Sequence, residues 1–125
     1  MEINLNEIEM AILPGGMPGT LNLLKSEKLQ TCLNYCIENN KKIAAICAAP
    51  IILGLNGYLK NKNATCYPVF EDKLIDANIS KKPCITDGNV TTANGPGSAT
   101  KFALEIVKIL KDEKTKEKIK KEMLI

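Results

Sequence analysis

Apolar residues fall along the chain in two rhythms. Met10 to Leu13 and Ile43 to Ile46 are short continuous runs bounded by turn residues, the mark of strands buried on both faces. Between them Leu29, Cys32, Leu33, Cys36 and Ile37 recur at the spacing of one helix face. Ser26 stands in front of that stripe as a helix N-cap, and Asn39-Asn40 closes it. Pro50 suits the first turn of a second helix, which runs to about Leu55 and stops near Gly57. "NATCYPVF" predicts a short strand leading to Pro68. "CITDGNVTTA" predicts a hairpin with Asp87-Gly88 as the turn pair. "NGPGSATKFALEIVKILK" predicts a loop into a helix whose inner face is Phe102, Ile106, Val107 and Leu110, and Asp112 to Glu122 predicts a charged helix.

Strands alternating with helices imply an α/β fold with a parallel sheet and right-handed crossovers. In such sheets the loops at the carboxyl ends of the strands carry the site. Two loops qualify, "PGGMPG" after Leu13 and the turn after Ile46. Adjacent parallel strands would bring Gly15 and Gly16 beside Cys47. A thiol at a sharp strand-to-helix turn is held exposed, as in a nucleophile elbow. The helix beyond it would favour the thiolate and lower its pKa. The amides of Ala48 and of the glycine loop would converge on an oxyanion. Cys47 also fits a small buried core residue, and the pattern alone leaves both readings open.

The other cysteines read differently. Cys32 and Cys36 lie on a helix stripe and Cys84 in a strand, so all three are expected in the core. Cys66, close to the candidate site, is a candidate for a second, less reactive thiol. With no C-x-x-C and no histidine, a zinc site has no ligand set. "GGMPG" lacks the Lys-Ser/Thr ending of a phosphate loop. "GPGS" reads as a tight turn and helix cap.

Composition narrows the classes. At 125 residues, 45% apolar and 25% charged, the chain reads as one globular domain over residues 1–125. Its net charge of +3 is too mild for a nucleic-acid footprint. All its basic residues are lysines, so the bidentate guanidinium clamp is missing. Three tyrosines, two phenylalanines and no tryptophan give no stacking platform for bases. No apolar stretch is long enough to span a bilayer, and "MEINLNEIEM" lacks the start of a signal peptide. Five irregularly spaced cysteines fit a reduced, cytoplasmic protein.

"AILPGGMPG", "IAAICAAP", "TCYPVFED" and "TDGNVTTANGPGSATKFALEIV" together resemble the ThiJ/PfpI superfamily, in the branch of the Parkinson's-disease-associated deglycase (DJ-one-like) and its bacterial relatives. The resemblance covers nearly the whole chain in the family's order. It implies a flavodoxin-like sandwich, usually a homodimer, and activity as a cofactor-independent glyoxalase on methylglyoxal, as a deglycase, or as a sensor of oxidative stress. Many bacterial members carry an older label from thiamine (hydroxyethylthiazole monophosphate) biosynthesis. Carried over by position, Cys47 is the nucleophile and Gly16 and Ala48 supply oxyanion amides. Gly15, Tyr67 and Pro68 are expected near the substrate, a small aldehyde.

The chain departs from the family pattern in three places. Ala48 stands where the protease-like branch has a histidine after the cysteine, which removes that branch's base. Tyr67 stands where some members have a histidine before the proline. The family's glutamate beside the thiol belongs to a first strand and helix that precede the stretch matched here. The chain is thus expected to resemble the C-terminal two thirds of the family fold, with Met10 to Leu13 as an apolar sheet edge. That edge would be completed by a separate N-terminal segment or by another copy. Three function classes stay open: an aldehyde-converting enzyme, a redox sensor or chaperone with an oxidisable cysteine, and an inactive family fragment.

Overall fold

A computed structural model describes residues 4–125 of the chain. Residues 1–3, which open the stretch read above for a leader, lie outside the described residues. Four strands form one sheet in the order β1-β2-β6-β5, where β1 is Met10–Leu13, β2 is Lys42–Ile46, β5 is Cys84–Asp87 and β6 is Val90–Ala93. β1, β2 and β6 run parallel, and β5 returns antiparallel to β6. β3 (Asn63–Ala64) and β4 (Asn78–Ile79) make a separate two-residue parallel ladder. The architecture is the α/β arrangement that the alternation predicts, flavodoxin-like as the family resemblance implies, with one antiparallel strand added by the hairpin.

The two faces of the sheet bury different residues. Ile43 and Ala45 of β2 point into the larger cluster with Leu33, Cys36, Ile52 and Leu53. These come from α2 (Glu27–Glu38) and α3 (Pro50–Leu55). Ala44 points the other way, against Phe102 of α4 (Ala99–Leu110). A strand buried on both faces is why β2 reads as unbroken apolar sequence. At the start of α2 the Ser26 hydroxyl oxygen accepts from the Leu29 amide at 3.2 Å, and Asn40 ends the helix at φ 54°. Asp112 caps α5 (Glu113–Glu122) by accepting from the Thr115 amide at 2.6 Å.

Several local expectations change. A short helix, α1 (Gly19–Leu24), follows the glycine loop without a stripe to announce it. "NATCYPVF" is a strand only at Asn63 and Ala64. Beyond them the Thr65 amide donates to the Thr92 hydroxyl at 3.0 Å instead of joining a ladder, and Pro68 opens a 3₁₀ segment to Lys73. In the hairpin Asp87 pairs with Val90, so the two loop residues are Gly88 and Asn89, one place on from the expected pair. Asp87 stays in the strand because its carboxylate accepts from the Asn63 amide at 2.7 Å. On α4 the buried positions are Phe102 and Leu104, while Leu110 is 38% exposed. α5 folds back along α4 and encloses Leu104, whereas Leu110 reaches the rim beside Glu9 and Lys42.

β1 lies at one edge of the sheet. α2 covers one of its faces; α4 sits over β2 and β6, and Ile12 on that side of β1 is 49% exposed. No helix among the described residues is long and apolar enough to cross a membrane.

Candidate functional site

The parallel registers bring the carboxyl ends of β1, β2 and β6 to one end of the sheet, where Leu13 pairs with Ala45 and Ile46 with Ala93. Cys47 is the first residue past β2. It holds φ at 62°, a left-handed conformation that is uncommon for a residue with a side chain. Such a conformation persists only where the surroundings fix it. Here both backbone groups are fixed. The Cys47 amide donates to the Ala93 carbonyl at 3.0 Å, and its carbonyl accepts from the Tyr67 amide at 2.8 Å. Ala49 closes the turn by donating to Ile46 at 3.1 Å, and α3 begins at Pro50.

The glycine loop reaches this elbow because Gly15 has no side chain. A Cβ there would stand 2.6 Å from the Cys47 Cβ, 2.8 Å from the Ile46 carbonyl oxygen and 3.4 Å from the Cys47 Sγ. Gly16 follows with φ 100°, and its carbonyl accepts from the Thr20 amide at 2.9 Å, turning the chain into α1. Among the described residues the Gly16 and Ala48 amides donate to no protein acceptor.

Around the thiol lies a shallow, mainly apolar pocket of about 260 Å³, lined by Gly16, Met17, Cys47, Ala48, Tyr67, Phe70 and Pro96. Of the residues read from sequence, Cys47, Gly16, Ala48 and Tyr67 meet in the lining, and Gly15 packs against Cys47. Pro68 does not line it. It is exposed and starts the 3₁₀ segment that carries Phe70. Met17, Phe70 and Pro96 are additional. Pro96 comes from a third loop, after β6, which qualifies by the same rule as the other two because β6 is parallel to β2. Tyr67 and Phe70 are held over the pocket by their segment's contact with α3, where Gly54 lets the Lys73–Leu74 backbone approach the helix.

Cys47 is partly buried, and desolvation pushes its thiol above the ordinary value. This reverses the expectation of a lowered pKa: α3 spans six residues, and no cationic side chain contributes. The second-thiol reading of Cys66 also falls. Its side chain is 1% exposed and its S–H donates to the Tyr67 carbonyl at 3.2 Å. Burial first, then Glu71 and Asp72, push it up to about 12. Those two carboxylates thus act on Cys66, and neither lines the Cys47 pocket.

Cys32 and Cys36 are in the core, as expected. Burial, with Cys32 adding to it, takes Cys36 up to about 11. Cys84 departs from the core expectation. It packs beside Phe102 but borders a second cavity, and its thiol is pushed up to about 11 by burial and Glu105 against the pull of Lys101 and Lys116. Among the described residues no group of three or more His, Cys, Asp or Glu is placed to hold a metal ion.

Comparison with known proteins follows this geometry. The sequence profile of the DJ-1/PfpI family matches residues 1–109. Protein DJ-1 homolog B of Arabidopsis thaliana is 39% identical over 107 residues, which is 85% of this chain and 24% of that protein. The protein named deglycase PfpI of Pyrococcus furiosus is 32% identical over 113 residues, covering 88% of this chain and 67% of that one. The crystal structure of Drosophila melanogaster DJ-1beta superposes with a TM-score of 0.88 at 30% identity, over 97% of this chain and 67% of that one. The chain thus spans about a quarter of the Arabidopsis relative and two thirds of the other two.

Proposed function

The chain belongs to the DJ-1/PfpI family, and we propose that it carries the thiol half of a cofactor-independent reaction on α-oxoaldehydes such as methylglyoxal, or on the adducts they form. The observation that carries this reading is the elbow itself. Cys47 is locked at φ 62° with two unpartnered amides beside it in a small pocket, while three of the other thiols are buried in the core. That a relative bears the name deglycase supports the same reading.

The chemistry starts with addition. The Cys47 sulfur forms a bond to the aldehyde carbon, the carbonyl pair moves to oxygen, and the thiol proton ends on that oxygen as a hemithioacetal. The Ala48 and Gly16 amides stabilise the oxygen as charge develops. A shift of the hydrogen on that carbon to its neighbour converts the adduct into a 2-hydroxy thioester. Water then releases the hydroxy acid and restores the thiol, with no external oxidant. The hydrogen shift needs a base. The described lining holds no carboxylate or imidazole, so addition and turnover are separable steps in this protein.

Both steps are measured on methylglyoxal. Intact-mass spectrometry reads the adduct, and lactate release reads turnover, for the parent chain and for Cys47→Ser, with folding checked by circular dichroism. Adduct and lactate that both require Cys47 support the proposal. Equal lactate from the two proteins removes it. An adduct on Cys47 without lactate locates the shortfall in the base, and adding the family's N-terminal segment in trans then tests whether that segment supplies it.

The place of Cys47 in the pocket, beside the Gly16 and Ala48 amides, favours a second reading, oxidation of Cys47 to a sulfinate held by the same amides. Peptide mapping after dilute peroxide decides it. Selective oxidation of Cys47 supports a sensor role, and uniform oxidation of all five thiols excludes it.

A further inference from the structure

Between α4 and α5 lie two adjoining hollows that share no lining residue with the Cys47 pocket. The first, about 530 Å³, has Lys101, Lys116 and Lys120 on its walls together with Cys84, Thr100 and Leu104. The second, about 260 Å³, runs between Ala103, Leu104, Val107, Ile119 and Met123 and is apolar apart from Thr100. Thr100 and Leu104 belong to both, so the two form one cleft with a cationic end and an apolar end.

The charge at the cationic end is only partly cancelled from within. Glu105 is the carboxylate side chain on that wall, and it already accepts from the Thr86 hydroxyl at 3.1 Å. Lys116 stands 3.9 Å from Glu113, a loose pair along one helix turn. Among the described residues neither Lys101 nor Lys120 pairs with a carboxylate. Ile125 also lines that wall, so three ammonium groups stand against Glu105, already engaged, and the Ile125 backbone carboxylate, which leaves one positive charge to attract an anion. The walls of the adjoining groove attract hydrocarbon.

We propose that the α4–α5 cleft binds an aliphatic carboxylate, its head among Lys101, Lys116 and Lys120 and its tail along Leu104, Val107 and Ile119. A tail-less anion would use only half of this surface, and an uncharged chain would leave the lysines without a partner. Each methylene that enters the groove raises affinity by up to about fourfold. Going from octanoate to decanoate is therefore expected to gain roughly tenfold.

The test uses the full chain and decanoate below its micelle-forming concentration, followed by titration calorimetry and amide NMR shifts. One decanoate is expected to bind per chain, shifting the amides of Thr100, Lys101 and Leu104. The double variant Lys101→Ala/Lys120→Ala is expected to bind at least tenfold more weakly. Ala103→Phe, placed at an exposed position, is expected to block the groove and erase the gain from octanoate to decanoate while the fold stays intact by circular dichroism. The proposal is overturned if decanoate shows no saturable binding, if both variants bind it as the parent does, or if inorganic phosphate competes as well as decanoate does.

Discussion

Cys47 and Cys66 sit on either side of one residue. The Tyr67 amide donates to the Cys47 carbonyl, and the Tyr67 carbonyl accepts from the Cys66 thiol. The two sulfurs are thus tied to the same short segment, yet they live in different chemistry. Cys47 is lifted by the elbow into the pocket mouth, with unpartnered amides next to it and no anionic side chain shifting its thiol. Cys66 is shut into the core and faced by two carboxylates. The residue type is the same in both; the backbone conformation decides which thiol reaches the pocket.

The largest effect expected from breaking this contrast is the exchange of each sulfur for oxygen. Cys47→Ser is expected to cut aldehyde turnover by roughly a thousandfold or to background, because the proposed nucleophile is lost while the fold remains. Cys66→Ser is expected to keep turnover within about threefold, since its hydroxyl can donate to the same Tyr67 carbonyl. Lactate release measures both. If Cys66→Ser proves as damaging as Cys47→Ser, the division of roles is wrong.

Next in size is the support beneath the elbow. Gly15→Ala drives a methyl into the Cys47 Cβ and the Ile46 carbonyl. Overpacking of this kind costs about 1–3 kcal/mol, and it displaces the sulfur from the amides. Urea titration should show the loss of stability, and turnover should fall at least tenfold. Gly19→Ala is the control: a Cβ there meets nothing within 4 Å, and its stability is expected within about 0.5 kcal/mol of the parent. Comparable losses in the two variants would mean that the close approach at Gly15 is unimportant.

The pH response sharpens the contrast further. Burial disfavours the thiolate, so Cys36, Cys47, Cys66 and Cys84 keep their protons to higher pH in the folded than in the unfolded chain. Above the ordinary thiol value the native state binds more protons than the unfolded one, and stability falls as pH rises. Cys36 and Cys66, raised to about 11 and about 12, are expected to drive this loss between about pH 8.5 and 11. Each contributes up to about 1.4 kcal/mol per pH unit. Over the same range, iodoacetamide labelling of Cys47 in the folded protein is expected to accelerate with pH, while Cys66 stays unlabelled until unfolding. Labelling of Cys66 at the rate of Cys47 in a folded chain would contradict the burial argument.

Much of this was legible in the sequence because it is local. An apolar run bounded by turns gives β2, a serine before a 3.6-residue stripe gives α2, and a cysteine between a strand and a proline-led helix gives the elbow. What escaped depends on residues distant along the chain. Leu104 is buried only because α5 returns along α4. Pro96 enters the pocket only because β6 lies parallel beside β2. The sign of the Cys47 shift escaped for a related reason. A strand-to-helix turn suggests a helix dipole, but α3 is short and the pocket walls come from three other segments. Desolvation by those walls cannot be read from residues next to Cys47.

The finest distinction concerns Tyr67, expected from the sequence to lie near the substrate. Its ring is a wall of the pocket: it tilts against Phe70 at 6.2 Å between centroids, and its Cδ2 would stand 3.7 Å from a Cβ at Gly95. Its side chain is nearly half exposed, and among the described residues its hydroxyl makes no hydrogen bond. Tyr67→Phe keeps the wall and removes only the hydroxyl, so kcat/KM for methylglyoxal is expected to stay within about threefold. Tyr67→Ala opens the pocket to water and is expected to cost about tenfold, through KM more than kcat, because the ring excludes solvent and takes no part in bond-making. A tenfold drop in kcat for Tyr67→Phe would instead put the hydroxyl on the reacting oxygen. The pocket would then contain an acid of its own beside Cys47, and the shortage of proton-transfer groups in the lining would no longer separate addition from turnover.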